Sequence, residues 1–258
     1  MSEIKKIVLI GAGNVGTQLG LALRDAGFTI EQVYSKTDAS AKTLSKKLKC
    51  AHTSSLKKIN VTSDLYLIAV KDDAITDIAK KLRLKNKVVV HTSGSAEMNV
   101  LKKISNAYGV FYPLQTFSKD RKIDLKEIPI CVEGNNARTE KIILNIANSI
   151  SNNVHKTNSH QRAAIHLAAV FACNFSNHMF SIAETLLSKQ KTSFSLLHPL
   201  VMETVKKAIA DGAARSQTGP AIRGDKKIIQ KHLTMLKKDK VNRKLYKLLS
   251  KSIATSNK

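Results

Sequence analysis

The sequence is poor in the residues that build disulfide scaffolds, zinc sites and base-stacking surfaces. Its 258 residues include no tryptophan, only three cysteines and four prolines, and aromatic residues make up just 5%. Cys50, Cys131 and Cys173 are far apart and follow no metal-ligand spacing, so they predict reduced core thiols. No apolar run reaches the length of a membrane-spanning helix.

Acidic residues are also scarce, with 19 Asp and Glu against 43 Lys and Arg and a formal net charge of +24. Such an excess is typical of proteins that bind nucleic acid or an anionic surface. The basic residues are spread along the chain, however, which favours a lysine-rich proteome as the explanation. The densest block, 226–258, repeats apolar residues at helical spacing without interleaved aromatics, so we expect solvated helix faces and no nucleic-acid partner.

The N-terminal residues lead directly into a predicted strand and lack the pattern of a signal peptide. Together with the isolated cysteines and the lack of long apolar runs, this predicts a cytoplasmic protein without membrane association.

The first part of the sequence alternates between strand and helix patterns. Strands are predicted at 6–10, 29–34, 64–70, 87–92, 108–112 and 128–132, and helices at 15–26, 39–47, 74–82, 96–105 and 137–150. Several strand segments are continuous apolar runs, as expected of strands buried on both faces of a parallel sheet. The alternation predicts an α/β fold built on a doubly wound, Rossmann-type parallel sheet.

The strand patterns stop near residue 155, after which helices are predicted at 159–188, 193–212, 226–238 and 240–253. The polar, aperiodic stretch 152–158 separates the two regions. We therefore expect a dinucleotide-binding domain at 1–155 and an all-helical domain at 156–258 that serves substrate binding and dimerisation.

Three glycines follow the first predicted strand in the stretch GAGNVG. Gly11 allows a tight turn, Gly13 lets the backbone approach a pyrophosphate, and Gly16 lets the next helix pack on the sheet. The helix that begins near Asn14 directs free N–H groups at the phosphates. Because the motif lies between a strand and a helix, it predicts a dinucleotide site that also includes Val15.

The end of the second predicted strand distinguishes the two nicotinamide cofactors. NAD-specific sites place an acidic residue there to bind the ribose hydroxyls. This chain instead has Ser35 and Lys36, a hydroxyl and a cation that suit a 2′-phosphate. The sequence therefore favours NADP over NAD, and the alternative is that Lys36 is an ordinary surface lysine.

Two further strand ends are expected to line the same crevice, because ligands of such sheets bind beyond the carboxyl ends of the strands. Small hydroxyl residues and a glycine leave room there for a flat ring. We predict cofactor contacts from the residues at these two ends: Val70, Lys71, His91, Thr92, Ser93 and Gly94.

The stretch 163–188 contains no lysine or arginine, which predicts a helix buried on most of its circumference. It carries a polar stripe at helical spacing that includes Asn174 and His178, and His166 lies near this stripe. Because buried polar groups need partners, the stripe predicts a substrate pocket or a polar seam against another helix or subunit. Taken singly, each residue could equally be a satisfied core residue.

Two loops add candidate substrate ligands. Tyr112, Gln115 and Thr116 follow a predicted strand in the stretch FYPLQTFS and are expected to face the crevice. Arg223 lies in the stretch SQTGPAIRGD, where a helix-breaking Gly-Pro pair would fix it for binding a carboxylate or phosphate. A surface turn between helices is the alternative for Arg223.

Together, the stretches IGAGNVG, HTSGS, YPLQTFS, AAIHLAAVFACNFSNH and QTGPAIRGD resemble a bacterial family of Rossmann-like proteins with a helical C-terminal domain of unassigned function. That family is similar to pyrroline-5-carboxylate reductase, to deazaflavin-dependent NADP reductases and, distantly, to 6-phosphogluconate dehydrogenase. The resemblance covers nearly the whole chain. It implies an NADP-binding domain and a helical domain that often mediates dimerisation, hence a homodimer, but it assigns no substrate and no catalytic residue.

These observations predict an NADP-dependent oxidoreductase that transfers a hydride between nicotinamide and a C=O or C=N carbon of a small substrate. A histidine suits the accompanying proton transfer, and His166, His178 or His91 could supply it. Asn174 and Gln115 would orient the substrate, and Arg223 would hold an anionic group on it. The alternative is a non-catalytic NADP-binding sensor or regulatory protein, since a fold does not determine a function.

Overall fold

The computed structural model describes residues 4–121 and 123–256. The chain divides into two compact units, Met1–Val170 and Phe171–Lys258. This division differs from the expected boundary after residue 155, because the helix that begins at Ser159 packs with the sheet-containing unit.

The first unit alternates strands and helices, as predicted. Its strands are β1 (Lys6–Ile10), β2 (Thr29–Tyr34), β3 (Ala51–Thr53), β4 (Leu65–Ile68), β5 (Val88–His91), β6 (Ala107–Pro113), β7 (Ile130–Gly134) and β8 (Val154–Lys156). Its α-helices are α1 (Asn14–Asp25), α2 (Asp38–Leu48), α3 (Asp72–Lys81), α4 (Ala137–Asn148) and α5 (Ser159–Ala169).

The strands form one sheet in the order β3-β2-β1-β4-β5-β6-β7-β8. All neighbouring pairs are parallel except β6 and β7, which are antiparallel. The chain reverses direction across the sheet between β1 and β4, which makes this position the topological switch point. The predicted doubly wound Rossmann-type fold is confirmed.

Apolar side chains on both faces of the central strands form two cores. On one face, Ile7 and Leu9 of β1 pack with residues of α1, α2 and α4. On the other face, Val8 and Ile10 pack with residues of α3 and of the segment 101–104. Because β4 and β5 are buried along their whole length, the continuous apolar runs correctly identified the interior strands.

The glycine turn after β1 is packed too tightly for any larger residue. Gly11 has a φ of 122°, and a Cβ added to it would lie 2.0 Å from the carbonyl oxygen of Ala69, which follows β4. A Cβ on Gly16 would lie 2.2 Å from the carbonyl oxygen of Gly11. These two glycines therefore let the start of α1 lie directly against the ends of β1 and β4.

Three elements differ from the sequence-based expectation. The short edge strands β3 and β8 were not predicted, and the helix expected at 96–105 is only a 3₁₀ turn at Met98–Leu101. The Ser93 hydroxyl accepts the backbone N–H groups of Ser95 and Ala96 at 3.1 and 2.9 Å, so this segment begins with a side-chain-stabilised turn.

Within the described residues of the second unit, every regular secondary-structure element is a helix. A π-helical segment, Val170–Phe175, leads into it and is followed by α6 (Ser176–Ser188), a 3₁₀ turn (Phe194–Leu197), α7 (His198–Asp211), α8 (Lys226–Met235) and α9 (Lys240–Ser256). The predicted all-helical C-terminal region is thus confirmed. No helix within residues 4–121 and 123–256 is long and apolar enough to cross a membrane.

The stretch 163–188, which lacks Lys and Arg, was expected to be buried, and this expectation is wrong for the single chain. No residue of α6 is buried, and Phe171 and Phe175 are 63% and 48% exposed. Within the described part of the second unit the buried apolar residues are Ala221, Leu233 and Leu236. The absence of Lys and Arg from this stretch therefore indicates a solvent-exposed apolar surface rather than a core helix.

The cysteines are free thiols in different surroundings. Cys131 is buried and Cys50 is half-buried, and burial raises the pKa of both thiols, that of Cys50 to about 11. Cys173 is exposed, so the expectation of a core position is wrong for this residue.

Candidate cofactor and active site

The start of α1 offers a phosphate site at the switch point of the sheet. Gly13 is the N-cap residue, no side chain caps the helix, and no acidic residue lies in its first turn. The first backbone N–H groups of a helix have no partner within the helix. A Cβ on Gly13 would meet no atom within 4 Å, so the space in front of these groups is open.

Ser35 and Lys36 lie beside this turn, at the end of β2. The backbone N–H of Gly11 donates to the carbonyl of Tyr34 at 2.8 Å, which joins the ends of β1 and β2. Lys36 is exposed and forms no ion pair with any residue that the structure describes. The nearby acidic residue is Asp38, and its Oδ1 lies 3.8 Å from Nε2 of His52. A cation without a carboxylate partner remains available at this strand end.

The loops after β4 and β5 reach the same edge of the sheet. Lys71 precedes α3 as its N-cap residue, and the Asp72 carboxylate accepts a hydrogen bond from the Ser95 hydroxyl, which ties the two loops together. Thr92 donates its N–H to the carbonyl of Ile68 at 3.1 Å. The structure therefore brings the glycine turn together with Val70, Lys71, Thr92, Ser93 and Gly94, the residues that the sequence assigned to the cofactor.

His91 has a structural environment that differs from that of the other predicted cofactor ligands. It is fully buried in β5, and its Nδ1 accepts the N–H of Ser93 at 3.1 Å. Burial, together with the charge of Arg162, lowers the pKa of His91 to about 4. A histidine that is neutral at physiological pH shapes the loop but is a poor proton donor.

His166 and Tyr112 form a hydrogen-bonded pair over the loop after β5. His166 Nδ1 lies 3.0 Å from the Tyr112 hydroxyl, and the two rings meet edge to face at a centroid distance of 5.9 Å. A Cβ on Gly94 would lie 2.6 Å from His166 Nδ1 and 2.8 Å from Tyr112 Cζ. Gly94 thus lets the pair lie directly on the predicted cofactor loop.

The environment of Tyr112 keeps its hydroxyl protonated. Burial is the main factor that raises the pKa of Tyr112 to about 12, so the phenol stays protonated at neutral pH. In the tautomer of neutral His166 that carries its proton on Nε2, the Tyr112 hydroxyl donates to Nδ1, and in the other tautomer Nδ1–H donates to the Tyr112 oxygen. His166 itself is half-buried and remains accessible.

Arg162 fixes the helix that carries His166. Its guanidinium is fully buried, forms an ion pair with Glu133 of β7, and donates to the carbonyl of Ala96 at 2.6 Å. Glu133 also accepts the N–H and the hydroxyl of Ser159, both at 3.1 Å. The first turn of α5 is therefore bound both to the sheet and to the loop that carries Gly94, and His166 follows one helical turn later.

The remaining predicted residues lie elsewhere. Gln115 and Thr116 are exposed in the loop after β6, where Gln115 Oε1 accepts the N–H of Thr116 at 2.8 Å. This loop is tied to α1, because the Asn14 side chain donates to the carbonyl of Phe117 at 2.8 Å. Asn174, His178 and Arg223 are exposed residues of the second unit: Asn174 lies in the π-helical segment, His178 in α6 and Arg223 before α8.

The sequence did not reveal the partners of His166. Tyr112 was expected at the end of a strand, facing the crevice, and it lies in β6, but its bond to His166 spans 54 positions. The only indication of Arg162 in the sequence is its position directly before the stretch 163–188, which lacks Lys and Arg. The π-helical segment lies between His166 and Asn174, so the expected position of His166 near the polar stripe, which rests on regular α-helical spacing, does not follow.

The ion pair between Arg162 and Glu133 generates a stability prediction. Arg162→Met leaves the Glu133 carboxylate without its counter-charge, so we expect the free energy of unfolding in urea to fall by about 3–5 kcal/mol. The double change Arg162→Met with Glu133→Leu should recover most of this loss. Lys156→Met, in the more exposed pair with Glu140, is the control and should cost less than about 1 kcal/mol. If Arg162→Met and Lys156→Met lowered the free energy of unfolding by equal, small amounts, the assignment of a stabilising buried ion pair between Arg162 and Glu133 would be contradicted.

Comparisons with known proteins identify both parts of the chain. A Rossmann-like domain profile matches residues 2–115, and the profile described as Domain of unknown function (DUF2520) matches residues 128–253. Among curated proteins, none matches the chain.

Solved structures match over almost the full length. A protein from Bacteroides fragilis that carries the provisional name NADP oxidoreductase is 44% identical over 97% of this chain and 98% of its own, with a TM-score of 0.90. A protein from Thermotoga maritima is 23% identical over 97% and 98% of the two chains, with a TM-score of 0.71. The 1-pyrroline-5-carboxylate reductase of Streptococcus pyogenes is 12% identical over 98% and 100%, with a TM-score of 0.64, and shows a shared fold.

The resemblance drawn from the sequence motifs is therefore confirmed. With 44% identity to a solved relative along nearly all of both chains, and with both profiles matched in order, the protein belongs to the family in which a Rossmann-like domain is followed by a DUF2520 domain.

Proposed function

We propose that the protein is an NADP-dependent oxidoreductase that transfers a hydride between nicotinamide and a C=O or C=N carbon of a small substrate. The observation that carries the proposal is a juxtaposition: the uncapped start of α1 lies at the carboxyl edge of the sheet, and the pair of His166 with Tyr112 packs on Gly94, in the loop after β5 at the same edge. The names of the relatives from B. fragilis and S. pyogenes point to the same class of reaction.

The residues at this edge fit a dinucleotide. The first-turn N–H groups of α1 would hold the diphosphate across the open space at Gly13. Lys36, with the hydroxyl of Ser35, would hold the 2′-phosphate of NADP. The loops that carry Val70 and Thr92 would flank the nicotinamide end, where the cofactor, when bound, supplies the hydride.

His166 is proposed as the proton donor and Tyr112 as the residue that positions it. A C=O or C=N group that receives a hydride at carbon must receive a proton at oxygen or nitrogen. As the imidazolium, His166 would donate its Nδ1–H to the Tyr112 oxygen and deliver its Nε2 proton to the substrate, which leaves a neutral imidazole. Buried His91 does not fit this role, and Asn174 and His178 remain candidates to contact the substrate.

A cavity of about 560 Å³ is the proposed site for the non-reacting part of the substrate. It lies between β7, β8 and α5, and its lining includes Leu114, Cys131 and Ile165. Cys131 is the cross-strand neighbour of Tyr112, and Ile165 immediately precedes His166, so the cavity borders the proposed proton donor. Its largely apolar lining favours a substrate with a small hydrophobic group.

The second unit is proposed to form a homodimer with a second copy of the chain. Its described residues include fourteen large apolar side chains that are at least 36% exposed, whereas its buried apolar residues are only Ala221, Leu233 and Leu236. A helical unit with so few buried apolar residues needs a partner surface to cover it, and the largely apolar stretch 163–188, which lacks Lys and Arg, is typical of a homodimer interface. We propose a cytoplasmic location for the dimer because an NADP-dependent reductase needs the intracellular cofactor pool.

Turnover tests the proton donor. With small keto acids and cyclic imines as substrates and NADPH oxidation as the signal, His166→Asn should lower kcat by about 10²-fold or more. Tyr112→Phe keeps the ring but loses the hydroxyl, and should lower kcat by about 10-fold. Calorimetry should show unchanged NADPH affinity in both variants. If the wild-type protein binds NADPH but turns over no substrate, the alternative of a sensor or regulatory protein is favoured.

Cofactor choice is tested by reversing the charge at the end of β2. Lys36→Glu should weaken NADPH binding by about 10-fold or more, which corresponds to ~1.4 kcal/mol, and should leave NADH binding nearly unchanged. Lys42→Glu, on an exposed position of α2, makes the same charge change as a control. If the two variants weakened NADPH binding equally, Lys36 would not be a cofactor ligand. If the wild-type protein bound neither nucleotide at millimolar concentration, the cofactor assignment would be refuted.

Sedimentation analysis tests the homodimer. The wild-type chain should sediment as a dimer at micromolar concentration, and Phe171→Asp with Phe175→Asp should shift it toward the monomer, because the charges oppose apolar contact. Val61→Asp, at an apolar position in the first unit that is 55% exposed, is the matched control and should leave the dimer intact. A monomeric wild-type chain would contradict the proposal.

A further inference from the structure

A second pocket, of about 290 Å³, lies within the second unit. It is bounded by the loop that precedes α8, by the start of α8 and by the C-terminal half of α9. The loop belongs to the stretch SQTGPAIRGD, one of the motifs on which the family resemblance rests. No residue that lines this pocket takes part in the proposed binding of NADP or in the proposed proton transfer.

The rim of this pocket is cationic and lacks compensating charge. Lys226, Lys247 and Lys251 all line it, and none of them forms an ion pair within residues 4–121 and 123–256. The adjacent carboxylate, Asp225, is engaged as the cap of α8, where it accepts the N–H of Ile228 at 3.1 Å. Three like charges around one concavity create a positive potential that an anion would relieve.

The lining of the pocket also contains apolar residues. Ala221 is buried, Ile229 is half-buried and Ala254 is exposed, and the hydroxyl residue Ser250 lies among them. Gly224 has a φ of 68°, and a Cβ added to it would meet no atom within 4 Å, so the wall on that side is open backbone. A concave surface that is lined by three lysines and by apolar side chains matches an anion that carries a small hydrophobic group.

We propose that this pocket binds a small organic anion, a carboxylate or a phosphate monoester with a short apolar group. The volume corresponds to about ten water molecules at ~30 Å³ each, which is enough for a single aromatic ring with its acidic group. The lysines bind the anionic group as point charges, and the apolar part replaces water on Ala221, Ile229 and Ala254.

Binding of three probes to the full-length chain tests the proposal. Benzoate and phenyl phosphate should bind saturably with Kd near 1 mM by ligand-observed NMR, and benzyl alcohol should bind at least about 10-fold more weakly. The stronger of the two anions identifies the acidic group preferred. Lys247→Gln with Lys251→Gln should raise the Kd of both anions by about 10-fold. Lys237→Gln with Lys238→Gln removes the same charge from exposed positions between α8 and α9 and should change it by less than about 2-fold.

Ala254→Leu tests the apolar part of the lining with every charge in place, and should weaken phenyl phosphate binding about 10-fold by filling the pocket. Inorganic phosphate should bind more weakly than phenyl phosphate.

The proposal is overturned if neither benzoate nor phenyl phosphate saturates the protein below about 20 mM, which corresponds to roughly 2.3 kcal/mol of binding free energy. It is equally overturned if the two lysine pairs have the same effect, or if Ala254→Leu binds as the wild type does. Circular dichroism confirms the fold of each variant, and Lys247→Arg with Lys251→Arg retains the charge if the glutamine pair fails to fold.

Discussion

The buried guanidinium of Arg162 is the interaction on which the candidate active site depends. It joins Glu133 of β7, the carbonyl of Ala96 after β5 and the first turn of α5, three segments that are distant in sequence. Removing a charge from water is costly, and here the counter-charge and two neutral acceptors offset that cost. Its consequence is geometric, because α5 is held where His166 meets Tyr112 beside Gly94.

The sheet supplies the second constraint. Its order reverses between β1 and β4, and the close contact of Gly11 with Ala69 holds the start of α1 at this reversal. Parallel strands deliver their loops to one edge, so a potential phosphate site and a potential proton donor share that edge. The start of α1, the cation of Lys36 and the hydroxyl residues after β5 lie along this edge, which is the arrangement that the proposed NADP site needs.

The second unit follows a different rule. Its helices form correctly by their own periodicity, yet their apolar faces remain largely exposed in a single chain, so local amphipathicity there describes a surface rather than a core. For this reason the stretch 163–188, which lacks Lys and Arg, predicts a buried helix but is largely exposed in the single chain. The same unit holds the unpaired lysines around a partly apolar pocket, and part of the large positive charge of the chain is thus concentrated at one concave feature.

Local patterns in the sequence are enough to predict the alternation of strands and helices, the parallel core strands, the glycine turn and the helical C-terminal region. These features depend on residues near one another in the chain, whose periodicity, backbone freedom and capping preferences are local. Folding is needed to bring Tyr112 to His166, to bury Arg162 against Glu133, to enclose His91 and lower its pKa, and to pack α5 with the sheet. These outcomes depend on burial and on contacts between segments far apart in the chain, and neither quantity is encoded in any short stretch of residues.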